Sequence, residues 1–209
     1  MAVYQSLTLT QLAQDSAENT SRIRVQWQSV QTGSSYNQVS HTAKLWLTVN
    51  GVEVLADVIA YTLPYGSTAV ICDREFTVNH DENGQAAVTA RTWMDTRISA
   101  GVVELSKSLQ LTQIPRPTTV TAPDTVMGSH CRIVLTPRYP GVQHSLFYQF
   151  AGLSGYLTGS GEVAEQETVF SGNGVDFFLP EDFMYRLPNQ LSGVCTLTCR
   201  TYLDRKSVV

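Results

Sequence analysis

The chain has 209 residues, 43% of them hydrophobic and 15% charged, with a formal net charge of −4 at pH 7. That length suits one large or two small domains. A charged fraction below the usual value of about 25%, on a slightly acidic balance, gives no basic stripe for nucleic acid. No apolar run approaches the roughly 18 residues of a membrane span.

The first strand is expected over Val3 to Leu12, followed by a polar turn at Gln14 to Thr20. Arg22 to Val30 alternates with period two: Ile23, Val25 and Trp27 on one face, Arg22, Arg24, Gln26 and Gln28 on the other. That pattern predicts a half-buried strand with Trp27 in the core. Gln31 to His41 reads as a polar loop. Lys44 to Val49 alternates again, with Leu45, Leu47 and Val49 inward and Trp46 outward. Asn50-Gly51 is a two-residue hairpin signal, because both turn residues need φ > 0. The return strand is Val52 to Tyr61, and Pro64 to Ser67 turns. Thr68 to Asn79 and Gln85 to Met94 are strands around a hairpin loop at Asp81 to Gly84. Val102 to Thr112 follows, with Lys107 interrupting its apolar face. About eight short strands with no helical periodicity predict an antiparallel sandwich or jelly roll.

Pro115 and Pro117 stop the ladder, since proline fixes φ and removes a donor. They divide the chain into residues 1–114 and 115–209, joined by a short stiff connector. In the second part, strands are expected at Ser129 to Leu135, Ser145 to Phe150, Glu165 to Phe170, Val175 to Leu179 and Gly193 to Leu203. Gly152 to Gly161 reads as a turn, and Pro180 with Glu181 and Asp182 as the start of a helical turn. Beyond these, Ser207 to Val209 is where a further strand would begin, so a longer chain or a partner would complete an open edge. No internal repeat is evident between the halves.

Four cysteines lack C-x-x-C spacing, which argues against a zinc ribbon. Cys195 and Cys199 on one strand would be about 13 Å apart, too far to bridge. Cys131 and Cys195, 64 positions apart, have a spacing that could link two sheets of an Ig-like sandwich. The alternative is buried free thiols, favoured by a reducing compartment. The N-terminus lacks the charged start and apolar core of a signal peptide, so synthesis in a cytoplasm is expected.

No catalytic constellation assembles from the sequence. His130 and Cys131, adjacent on a strand, face opposite sides, so with His144 they read as separate residues rather than a nucleophile or a metal site. Asp81, Glu82, Asn83 and Gly84 resemble a calcium-loop fragment, but the EF-hand spacing is absent and a hairpin explains them. His80 beside them reads as structural. Glu162, Glu165 and Glu167 would have to converge to serve a glycoside hydrolase and read instead as a solvated face. The better lead is a pair of outward tryptophans. Trp46 lies beside Lys44 and Thr48, and Trp93 shares its face with Thr89, Arg91 and Asp95. An exposed aromatic ring beside polar groups can cover the apolar face of a sugar. It can equally anchor a subunit contact. Trp46, Trp93, Arg91 and Asp95 are therefore the candidate ligand-binding residues; no catalytic residue, metal ligand or cofactor is predicted.

The run LQLTQIPRPTTVTAPDTVMGSHCRIVLTP across the connector resembles the domain junction of minor structural (tail-tip) proteins of long-tailed, siphovirus-like phages and of prophages of Gram-positive bacteria. FTVNHDENGQAAVTA resembles that family's hairpin, and FFLPEDFMYRLPNQLSGVCTLTCRTYLD its closing pattern. The resemblance spans nearly the whole chain. It implies an all-β protein with a jelly-roll-like β-sandwich followed by an Ig-like β-sandwich. It also implies a non-catalytic virion structural protein of the tail, assembled in the bacterial host cytoplasm. The expected partners are other tail proteins, further copies of itself and a host cell-surface glycan, with no nucleic acid and no membrane insertion. Two rival readings are a carbohydrate-binding module clipped from a secreted glycoside hydrolase, and a wall-degrading enzyme built on Glu162 and Glu165.

Overall fold

The computed structural model describes residues 2–32, 38–98, 100–187, 191–203 and 206–207. The chain divides into two compact units, Met1–Ile114 and Pro115–Val209.

In the first unit, β1 (Ala2–Asp15), β2 (Thr20–Thr32) and β5 (Thr68–Asn79) form one sheet in the order β1-β2-β5. The other sheet comprises β3 (Gln38–Val49), β4 (Val52–Leu63), β6 (Ala87–Asp95) and β7 (Val102–Gln110), in the order β4-β3-β6-β7. Every pairing is antiparallel. Period-two patterning decides what each sheet buries. Ile23, Val25 and Trp27 of β2 are fully buried against Leu45, Leu47, Val88, Ala90 and Met94 of the facing sheet. Trp27 can sit in this core because its Nε1–H donates to Gln5 Oε1 at 2.8 Å, which offsets the cost of burying an indole donor.

The second unit repeats this arrangement. One sheet comprises β8 (Thr119–Thr121), β9 (His130–Thr136) and β13 (Gly174–Phe178), in the order β13-β9-β8. The other comprises β10 (Gln143–Phe150), β11 (Leu153–Leu157), β12 (Val163–Ala164), β14 (Thr196–Leu203) and β15 (Lys206–Ser207), in the order β12-β11-β10-β14-β15. Its separate core holds Ile133, Leu135, Leu146, Tyr148, Phe150, Val175 and Phe177. A 3-10 helix, Glu181–Arg186, follows Pro180, whose φ of −59° suits a helix start. It packs Phe183 onto Phe150, with ring centroids 5.2 Å apart.

Among the described residues the protein is all-β apart from that turn, as expected of stacked antiparallel sheets. Within the first unit, seven described strands divide three against four; β1-β2, β3-β4 and β6-β7 are consecutive in sequence, whereas β2-β5 and β3-β6 pair across longer connections. Local hairpins such as Val49-Asn50-Gly51-Val52 favour neighbours in sequence as neighbours in the sheet. Setting aside the two-residue β12, the two units share one order: β1-β2-β5 corresponds to β8-β9-β13, and β4-β3-β6-β7 to β11-β10-β14-β15. Burial pattern repeats here although residue identity does not.

Three local expectations change. His41 lies in β3, because β2 runs on to Thr32 and β3 starts at Gln38; residues 33–37 of the expected loop fall outside the described residues. Gly152 to Gly161 holds β11 as well as turns. Glu165 to Phe170 is not a strand: only Phe170 makes a bridge, to His144. Among the described residues, no strand pairs with Glu165 to Val169 to complete a ladder.

Candidate functional site

The outer face of the four-stranded sheet brings the predicted residues together through register. Trp46 of β3 stands directly opposite Trp93 of β6. Ala56 of β4 flanks Trp46, and Glu104 of β7 flanks Trp93, giving a row Ala56, Trp46, Trp93, Glu104. On one side lies Thr48 opposite Arg91, which in turn faces Ser106. On the other lies Lys44 opposite Asp95. Both tryptophans are half-buried, while Arg91, Lys44 and Glu104 are exposed. The inward neighbours of the same strands, Leu45, Leu47, Thr92 and Met94, are buried, which holds the two indoles on the outside.

Asp95 is already engaged. Its carboxylate pairs with Arg97 Nε at 2.8 Å, and its side chain is 19% exposed. It orders the turn after β6 and leaves Lys44, Thr48, Arg91 and Glu104 as the polar rim of the tryptophan row. Sequence reading missed Glu104 and Ser106. The signal was the alternation of Val103, Leu105 and Leu109 in β7, which turns Glu104, Ser106 and Ser108 outward.

The rival sites resolve into structural roles. His80 is buried; its Nδ1 lies 2.7 Å from the Gly84 carbonyl oxygen, and its Nε2 2.8 Å from Ser21 Oγ. A carbonyl only accepts, so Nδ1 carries the proton and the Ser21 hydroxyl donates to Nε2. Asp81 Oδ1 accepts from the backbone N–H groups of Asn83 and Gln85 at 2.9 and 2.8 Å, an Asx turn that explains the hairpin loop. Among the described residues, no three His, Cys, Asp or Glu side chains are grouped to hold a metal. Glu162 is taken up in a turn, its N–H donating to Thr158 Oγ1 at 3.0 Å, and Glu165 is exposed. Glu167 instead meets Tyr202 and Arg200. His130 is exposed and Cys131 buried, on opposite sides of β9.

All four cysteines are free. Burial pushes the Cys131 and Cys195 thiols up, and proximity to Cys131 adds to the effect at Cys195, so both are poor nucleophiles. They line an apolar cavity of about 790 Å³ in the second unit, with Met127, Phe150, Phe177 and Leu187.

By fold the chain is an all-β protein of stacked antiparallel sheets, divided into two units. The chain matches, over residues 4–209, the family described as "Siphovirus protein of unknown function (DUF859)", and it belongs to that family. No curated protein matches it.

Proposed function

We propose that the protein is a non-catalytic structural component of a siphovirus tail, and that its first unit binds a host-surface saccharide on the Trp46–Trp93 row. Membership of a siphovirus family supports a virion component. The observation that carries the binding role is the cross-strand tryptophan pair, half-exposed and rimmed by Lys44, Thr48, Arg91 and Glu104. Indole faces cover the C–H face of a pyranose, and the rim supplies donors and acceptors for its hydroxyls. Each such contact is weak. A tail presents several copies, so avidity supplies the rest. The same placement in the particle implies other tail proteins and further copies of this chain as partners.

A glycan array and host cell-wall pulldown test this, run with the purified chain, Trp46→Ala and Trp93→Ala. The expected outcome is binding that falls by at least about tenfold in each variant, a loss of about 1.4 kcal/mol. A folded wild-type chain that binds nothing, while light scattering shows an oligomer, would overturn the saccharide role. The tryptophans would then be a contact between subunits.

A further inference from the structure

Trp46 lies four residues before the first residue of the Asn50-Gly51 turn that joins β3 to β4. Both turn residues have positive φ, 50° and 79°. In the second unit, Phe147 lies four residues before Ala151-Gly152, which joins β10 to β11 with φ of 45° and 85°. The flanking burial also agrees: Leu45, Leu47 and Val49 inward in one, Leu146, Tyr148 and Phe150 inward in the other. Phe147 is therefore the positional counterpart of Trp46 and is likewise half-buried on an outer face. The second aromatic comes from a different strand. Tyr156 of β11 stands opposite Phe147, with ring centroids 5.0 Å apart and planes tilted by 55°.

Polar groups gather beside this pair. Arg200 of β14 is exposed opposite Ser145, one outward position along β10 from Phe147. It pairs with Glu167 at 3.6 Å, and the Tyr202 hydroxyl donates to Glu167 Oε1 at 2.8 Å. Thr198 lies opposite Phe147 and is exposed. Glu167 and Arg200 cancel in charge, so the face has no net demand for an anion or a cation. Aromatic faces beside a neutralised donor–acceptor set suit a ligand of apolar C–H surface and vicinal hydroxyls.

We propose that Phe147, Tyr156, Glu167, Arg200 and Tyr202 form a second binding site, in the second unit, for a neutral saccharide. The inference rests on the saccharide reading of the first unit, and it makes each chain bivalent.

The test is calorimetric titration of the full chain with a panel of neutral oligosaccharides, N-acetylglucosamine and glucose tetramers among them, with saturation-transfer NMR. Wild type is expected to bind two equivalents. Trp46→Ala/Trp93→Ala should keep one, with saturation transferred from Tyr and Phe protons. Tyr156→Ala/Arg200→Ala should keep the other, still read by tryptophan fluorescence. Glu167→Gln, which leaves the packing in place, should weaken the second site by about tenfold, or 1.4 kcal/mol. Complete loss of binding in the tryptophan variant overturns the second site and leaves the first. Binding unchanged in Tyr156→Ala/Arg200→Ala also overturns it. A single equivalent bound by wild type, kept in Trp46→Ala/Trp93→Ala and lost in Tyr156→Ala/Arg200→Ala, overturns the first site and keeps the second. No neutral sugar bound by wild type, or binding confined to a glycerol-phosphate polymer, overturns both.

Discussion

Two histidines show how burial assigns opposite roles to one side chain. His80 uses both ring nitrogens, and its partners tie separate segments together. Ser21 also accepts from Gln11 Nε2 at 3.0 Å, and the Gly84 carbonyl also accepts from the Ile114 N–H at 2.8 Å. The ring thus links the start of β2, the hairpin loop and the end of the first unit. His80→Ala leaves a buried hydroxyl and a cavity, and should cost about 2–3 kcal/mol. Urea unfolding followed by tryptophan fluorescence measures this. His144 is fully buried, and neither nitrogen makes a hydrogen bond of good geometry. Its burial holds its proton affinity below the ordinary imidazole value, with the nearby Gly172 backbone offsetting only part. Unfolded, the same ring takes up a proton near pH 6.5. The unfolded state therefore binds more protons as the pH falls below about 6.5, and stability present above that pH is lost on acidification, with a limiting slope of about 1.4 kcal/mol per pH unit. Glu167, whose carboxyl is held low chiefly by the Tyr202 hydroxyl, adds acid sensitivity only as the pH nears the carboxylate range. Hydrogen exchange at the Leu135 and Leu146 amides between pH 7.5 and 5.5 should show the histidine effect. His144→Leu should flatten it.

At the scale of elements, the turns decide what could be read in advance. Asn50-Gly51 was legible because both residues tolerate positive φ. The structure adds that Asn50 Oδ1 accepts from the Thr89 N–H at 2.9 Å, docking the hairpin on β6. Ala151-Gly152 adopts the same conformation but carries no such signal, because alanine at φ 45° is strained. Ala151→Asn should relieve that strain and stabilise the second unit by about 0.5–1 kcal/mol, seen as a higher calorimetric Tm. Strand β11 was hidden for a related reason. Its Gly155 serves packing rather than turning: a Cβ there would meet Tyr148 Cε1 at 3.1 Å and Val163 Cγ1 at 3.0 Å. In sequence it reads as a loop glycine. Trp46 and Trp93 were legible as outward residues from period two alone. That they stand opposite one another was not, since register between β3 and β6 depends on strands far apart in sequence. Phe147 was placed within the expected strand Ser145 to Phe150 but given no outward role, and Tyr156 was missed because Gly152 to Gly161 was assigned to a turn.

At the scale of the molecule, one strand order is built twice, but for the short β12 added in the second unit, from sequences with no evident repeat, because each needs only the inward positions filled and the hairpins closed. Each unit has its own apolar core, which is the condition for folding as a unit. All three tryptophans, Trp27, Trp46 and Trp93, lie in the first, so their fluorescence reports on that unit alone. The second can be perturbed selectively at Gly161, where φ is +89° and an added Cβ would fall on the Asp176 carbonyl. Gly161→Ala must therefore shift backbone and should cost several kcal/mol, about the upper range for a point change. The expected result is a sharp loss of exchange protection at Ile133 and Val175, with the urea midpoint read by tryptophan fluorescence unchanged. The reverse should hold for Leu47→Ala in the first core, at a cost of about 2–5 kcal/mol. A tryptophan midpoint that drops with Gly161→Ala would mean that the two sandwiches unfold as one cooperative unit.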